Sequence, residues 1–133
     1  MLRISKLADY ATTIMIFLAQ DSDRRFSARE VSKGTNIRRL PTVSKVLKLL
    51  LASHLVKSTK GVNGGYQLSH PPLQISLFDI VCAIDNEPAM TQCCSSGGAA
   101  CPREDYCRAR HRWQAINQEI LKMLKETTLD KIA

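Results

Sequence analysis

Two apolar stripes, and the breaks between them, constrain this chain most. Leu7, Ala11, Ile14, Met15 and Leu18 recur at three- and four-residue spacing, and Val43, Val46, Leu47, Leu50 and Leu51 do the same. That spacing puts the side chains of each run on one face of a helix, which must be buried against something. Ser5 stands where the first helix needs a cap, and Asp21-Ser22-Asp23 ends it. Between the stripes, Ser27 followed by Glu30 three residues later is a capping-box pattern that opens a short second helix. Gly34-Thr35-Asn36 makes the turn into the third helix. Pro41 suits that helix's first turn, where no backbone donor is lost. A helix, a tight glycine turn and a second helix form a helix-turn-helix.

The next segment reads as a hairpin. Leu55-Val56-Lys57-Ser58 is a strand candidate, Gly61-Val62-Asn63-Gly64-Gly65 is turn-forming, and Tyr66-Gln67-Leu68 is the return strand. A basic hairpin behind a helix-turn-helix is a wing. Pro71-Pro72 breaks the chain, and Ser76 caps a helix that turns Phe78, Ile80, Val81 and Ile84 inward. With 44% apolar residues in 133, a packed core is within reach and wholesale disorder is excluded.

Charge adds a partner class. The chain carries +7, and between Arg24 and Lys60 ten Lys/Arg face a single acid, Glu30. A positive field confined to one part of a small domain points to a polyanion, here double-stranded DNA. On the third helix, Arg38 and Arg39 stand at the start, and Thr42, Ser44, Lys45 and Lys48 lie off the apolar stripe. Small polar and basic residues on one face are what a helix needs in the major groove. Lys60 and Asn63 belong to the wing. These eight residues are the expected DNA contacts.

Past the fourth helix the composition changes. Four of the five cysteines fall between Cys93 and Cys107, around a Ser/Gly/Ala spacer with no apolar periodicity. No signal peptide is expected ahead of the first helix, since Met1 to Asp9 is not followed by an apolar run with a small-residue cleavage site. The uncharged stretch from Tyr10 to Gln20 is about half the ~20 residues a membrane span needs. A cytoplasmic setting with reduced thiols is therefore expected, in which clustered cysteines suggest metal or redox chemistry. Six residues separate Cys94 from Cys101 and five separate Cys101 from Cys107. These gaps are long for zinc knuckles, which use two to four, and they favour an iron–sulfur cluster. Zinc and unligated reactive thiols stay open as alternatives. Cys82, inside Ile80-Val81-Cys82-Ala83-Ile84, reads as a buried small hydrophobe. Cys93 is ambiguous, because adjacent side chains diverge. Pro102 is expected to start a long helix, with Glu104 and Asp105 at its positive end. Its stripe of Tyr106, Ala109, Trp113, Ile116, Ile120, Met123 and Leu124 is expected to pair with a twin in a homodimer.

Taken together, these features resemble the Rrf2 family of winged-helix regulators over nearly the whole chain. The resemblance is carried by Leu7-Ala8-Asp9-Tyr10-Ala11, by Ser27-Ala28-Arg29-Glu30-Val31, by the wing from Lys60 to Leu68 with its Gly64-Gly65-Tyr66, and by the three-cysteine loop. The paired Cys93-Cys94 looks most like the branch that regulates the SUF iron–sulfur assembly operon. The resemblance implies a homodimer with one cluster per subunit, type 2Fe-2S or 4Fe-4S undetermined, held by Cys94, Cys101 and Cys107. For the fourth ligand it implies Asp9 from the partner subunit, as in the nitric-oxide-sensing branch. In the assembly-regulator branch a histidine stands three residues after the last cysteine. Here that position is Arg110, and His111 comes one later, rotated by about 100° on a helix. His111 is thus second choice and Cys93 third. Two positions depart from the family pattern: Lys60 replaces a wing arginine, and Ser44 replaces a recognition-helix glutamate.

The expected fold is mainly α: a winged helix-turn-helix over residues 1–85, a cysteine-rich loop over 86–107 and a dimerisation helix over 102–128, in one compact domain. The expected function is an iron–sulfur-sensing transcription regulator, a repressor of cluster-assembly genes. The alternatives are a zinc-stabilised or redox-thiol DNA-binding regulator and an electron-transfer or cluster-carrier protein. No nucleophile–base set is present, and His54, His70 and His111 are scattered, so an enzyme is not expected.

Overall fold

The two apolar stripes meet in one core. In the computed structural model, which describes residues 3–95 and 101–133, helix α1 spans Lys6–Ala19, α2 Ala28–Thr35 and α3 Leu40–Ala52. Ala11, Ile14, Met15 and Leu18 of α1 lie fully buried against Val43, Val46, Leu47 and Leu50 of α3. Ala8, rather than Leu7, completes the innermost line of α1; Leu7 and Leu51 pack half-buried at the edges.

The caps fall where the sequence puts them. Ser5 Oγ accepts from Ala8 N–H at 3.1 Å and donates to Asp85 Oδ1 at 2.9 Å, tying the start of α1 to the end of the fourth helix. Ser27 and Glu30 complete a reciprocal capping box, at 3.2 and 2.8 Å. Asn36 ends α2 in the left-handed region (φ 58°), which asparagine tolerates better than most residues. Gly34 is needed for packing: a Cβ there would lie 2.2 Å from the Phe17 ring.

Strands β1 (Val56–Thr59) and β2 (Gly65–Leu68) form an antiparallel wing with Val56 opposite Leu68 and Thr59 opposite Gly65. The far edge of β2 is also used. Phe26 and Tyr66 exchange backbone hydrogen bonds at 2.9 and 2.7 Å, which anchors the wing's root to the segment before α2. This exchange explains the glycine before Tyr66. Gly65 has φ 144°, and a Cβ on it would stand 2.7 Å from the Phe26 carbonyl oxygen.

Helix α4 (Leu77–Ile84) opens on a second capping box, Ser76 with Asp79. It buries Ile80 and Val81, while Phe78 and Ile84 are only half-buried. A short 3-10 turn, Gln92–Cys94, leads to the cysteine segment, and another, Glu104–Tyr106, lies within it.

The long helix α5 runs Arg110–Glu126, so it starts eight residues later than the Pro102 start expected from the sequence. Cys107 sits in extended backbone (ψ 112°) and breaks any helix that Pro102 could nucleate. Tyr106 therefore belongs to the 3-10 turn, highly exposed and off the helical stripe. After α5, Thr127 and Leu129 hydrogen-bond to Leu77 and Ile75, at 2.9 and 2.7 Å. This clamp places Leu129, at the start of the single-turn helix α6 (Leu129–Ile132), fully inside the core.

Candidate nucleic-acid interface and thiol segment

A helix-turn-helix works as a reader only if the outer face of its second helix is free. Arg38, Arg39, Lys45 and Lys48 are exposed, and Thr42 and Ser44 are half-buried beside them. Arg39 occupies the cap position of α3 without a side-chain cap, and Pro41 fills the first turn. Pro41 has no N–H, and Thr42 N–H donates to the Arg39 carbonyl at 3.0 Å, so what the opening turn of α3 offers a phosphate is the charge of the exposed Arg38 and Arg39 side chains.

The expected DNA contacts divide into three neighbouring patches. Arg38, Arg39 and Thr42 line a cleft of about 630 Å³ together with Lys6, Tyr10 and Asp9 of α1. Ser44, Lys45 and Lys48 border a shallow groove over Pro41 and Leu49. Lys60 is exposed at the wing tip, and Asn63 lines a third groove with Arg25, Gly64 and Gln67. Arg25 is a residue the sequence reading missed. Its neighbour Arg24 is engaged, 3.4 Å from Glu30 and stacked 4.6 Å from the Phe26 ring, whereas exposed Arg25 faces the wing groove. The Arg24-Arg25 pair was a visible signal, but only the fold shows that the two diverge. Glu30 itself is held below the usual carboxylate pKa, chiefly by the Ser27 backbone N–H, with Arg24 adding to this.

The thiol segment is anchored at its start by Asn117. This side chain is buried on α5, and its Oδ1 accepts from Met90 N–H at 2.9 Å. Nothing in its polar character marks it as an inward residue. Cys93, Cys94, Cys101 and Cys107 are all free and half-buried. Of the six-residue spacer between Cys94 and Cys101, residues 96–100 lie outside the described residues. Among the described residues, no three His, Cys, Asp or Glu side chains gather closely enough to hold a metal ion. Asp9 lies on the first turn of α1 and His111 near the start of α5, both exposed.

Two expectations about single cysteines change. Cys82 is half-buried rather than buried, because α4 turns Ile80 and Val81 inward instead. What burial it has, with Glu87 and Asp79 nearby, pushes its thiol pKa up. Cys93 and Cys94 do not diverge: Thr91 Oγ1 lies 3.0 Å from one sulfur and 3.3 Å from the other.

On α5, Trp113, Ile116 and Met123 are 39, 44 and 68% exposed, while Ile120 and Leu124 are half-buried. Lys125 lies 4.6 Å from the Phe78 ring and covers part of α4. Among the described residues, no helix is long and apolar enough to cross a membrane.

Comparison with known proteins matches residues 4–133 to a family model described as "Rrf2: Iron-dependent Transcriptional regulator". Protein aau3 of Rhizobium meliloti is 26% identical over 98% of this chain and 84% of its own length. The HTH-type transcriptional regulator IscR of Cronobacter sakazakii is 26% identical over 98% of this chain and 80% of its own. Among solved structures, CymR, the global cysteine regulator of B. subtilis, superposes with a TM-score of 0.81 at 27% identity. That match covers 100% of this chain and 97% of the other.

Proposed function

This chain belongs to the Rrf2 family and is a DNA-binding transcription regulator, and from that premise we propose that it senses an iron–sulfur cluster and represses cluster-assembly genes. The observation that carries the reading is the thiol set. Cys94, Cys101 and Cys107 are free, half-buried and close in sequence on an irregular segment outside the core. Thiolate sulfur is the donor such clusters take, so the chemistry of the set fits. When bound, the cluster supplies a redox- and iron-sensitive crosslink.

The chain's own residues would do the rest. Cys94, Cys101 and Cys107 hold the iron, and Asp9 of a second copy completes the set, ahead of His111 and then Cys93. Asp9 shares its cleft with Arg38, Arg39 and Thr42. A tie between the thiol segment and Asp9 therefore bears directly on the opening turn of the recognition helix. Trp113, Ile116, Ile120, Met123 and Leu124 provide the dimer contact. In a dimer the two recognition helices must match the DNA repeat, so a small rotation changes affinity. Arg38, Arg39, Thr42, Ser44, Lys45, Lys48, Lys60 and Asn63 make the DNA contacts, with Arg25 added beside the wing.

A second reading, a thiol-based or zinc-stabilised regulator without a cluster, is favoured by the likeness to a cysteine regulator. Anaerobic purification separates the two. The cluster reading expects iron and sulfide with visible absorbance, lost in Cys101→Ala while the dimer stays folded. Colourless protein with zinc or no metal supports the alternative. A gel shift on an assembly-gene promoter, with and without cluster, then tests the repressor role. Each phosphate contact contributes about −0.9 to the salt slope, so Arg38→Ala should flatten it by roughly that amount.

A further inference from the structure

Cys93 and Cys94 follow each other in the turn Gln92–Cys94, yet their sulfurs share one neighbour, the Thr91 hydroxyl. A single oxygen within hydrogen-bond reach of both sulfurs requires that they lie on the same side of the chain. The turn that holds them there is closed by its own backbone. Cys94 N–H donates to the Thr91 carbonyl at 3.0 Å, and Ser95 N–H to the Gln92 carbonyl at 3.2 Å. The Met90–Asn117 hydrogen bond fixes the turn's entry against α5. Both thiols are free and half-buried, so a small solute can reach them.

We propose that Cys93 and Cys94 form a peroxide-responsive dithiol, a reversible modification site at the mouth of the thiol segment. One sulfur attacks a hydroperoxide, the O–O bond breaks, and the oxygen it takes leaves that cysteine as a sulfenic acid; the rest of the peroxide departs as alcohol or water. The second thiol then displaces the sulfenic oxygen as water, carrying away its own proton, and an S–S bond forms. Two thiols are oxidised by two electrons and one peroxide is reduced. Whichever sulfur attacks first, the other is its near neighbour. Consecutive Cα atoms are about 3.8 Å apart, less than the 4.4 Å or more that an ordinary disulfide spans. The product is therefore strained and easily reduced, which suits a reversible lock. This consequence rests on the iron–sulfur reading: while the bond stands, Cys94 is withheld from metal.

The test uses cluster-free full-length protein carrying Cys82→Ser, Cys101→Ser and Cys107→Ser, treated with one equivalent of hydrogen peroxide. Both remaining thiols should disappear, the mass should fall by about 2 Da, and dithiothreitol should restore both. Adding Cys93→Ser or Cys94→Ser should stop the reaction at a sulfenic acid that dimedone traps. A dimedone adduct beside a free thiol in the pair-bearing protein, or a disulfide between two chains, overturns the proposal. Should the triple variant fail to fold, fragment-ion mapping of the oxidised unaltered chain decides: a Cys93–Cys94 bond supports the proposal, and pairing with Cys101 or Cys107 overturns it. These readouts need no cluster, so they stand or fall apart from the iron reading. Disulfide-bearing protein that takes up as much iron and sulfide as reduced protein overturns the withholding step alone.

Discussion

Residues 4–85 and residues 86–126 satisfy their side chains in opposite ways. The first region closes on itself. Its stripes meet stripes, the starts of α1, α2 and α4 are capped by serines, and the wing is sewn to the segment before α2 on its second edge. The second region is left open. Its helix α5 buries an asparagine while exposing Trp113, Ile116 and Met123, and its cysteines are free. A region that buries a polar side chain and shows apolar ones to solvent is the one that the proposed second copy and cluster would complete. Under the proposed function, recognition falls to the closed region and regulation to the open one.

Four measurements would break or sharpen that contrast. Leu47 is fully buried between α1 and α3, so Leu47→Ala should cost about 3 kcal/mol in urea unfolding. A loss well under 1 kcal/mol would mean that the first region is not the closed one. Next, Ile116→Asp should weaken self-association on the order of 100-fold by sedimentation. It should leave the secondary structure of the winged helix intact by circular dichroism. An unchanged dimer would place the interface elsewhere.

Asn117→Ala strands the Met90 N–H and should cost roughly 1–2 kcal/mol. Its sharper signature is faster amide exchange at Met90, with exchange in α3 unchanged; slowed exchange at Met90 would contradict the anchor. The smallest effect concerns Glu30. Its folded pKa is lowered, so its stabilisation is present above the unfolded carboxylate pKa and is lost as pH falls through the folded value. Glu30→Gln should therefore differ from the parent at neutral pH and converge with it once pH has fallen through the folded value. Equal gaps in the urea midpoint at both ends would argue against a charged cap.

The cysteine segment shows why legibility differs between the regions. For α1 and α3, apolar spacing together with Ser5 and Pro41 gave the faces and starts directly, because helix geometry ties sequence distance to direction. Pro102, Glu104 and Asp105 were equally good local signals for a helix start, yet α5 begins at Arg110. There the extended backbone at Cys107 overrides propensity, and no periodicity reports it. Leu129 and Asn117 were illegible for a related reason. A lone leucine after two threonines, or a lone asparagine on a polar helix, has no repeating neighbours to show which way it points.

What the sequence determined by itself was what depends on short range: the helix faces, the Ser27–Glu30 capping box, the Ser76 cap, the glycine wing and the concentration of positive charge on one stretch. These follow from backbone geometry and from side chains a few positions apart. Tertiary structure alone decided the long-range meetings: Asp9 in one cleft with Arg38 and Arg39, Arg25 at the wing groove, and Leu129 in the core. Each of these depends on where packing holds the backbone, and residue order does not encode that position locally.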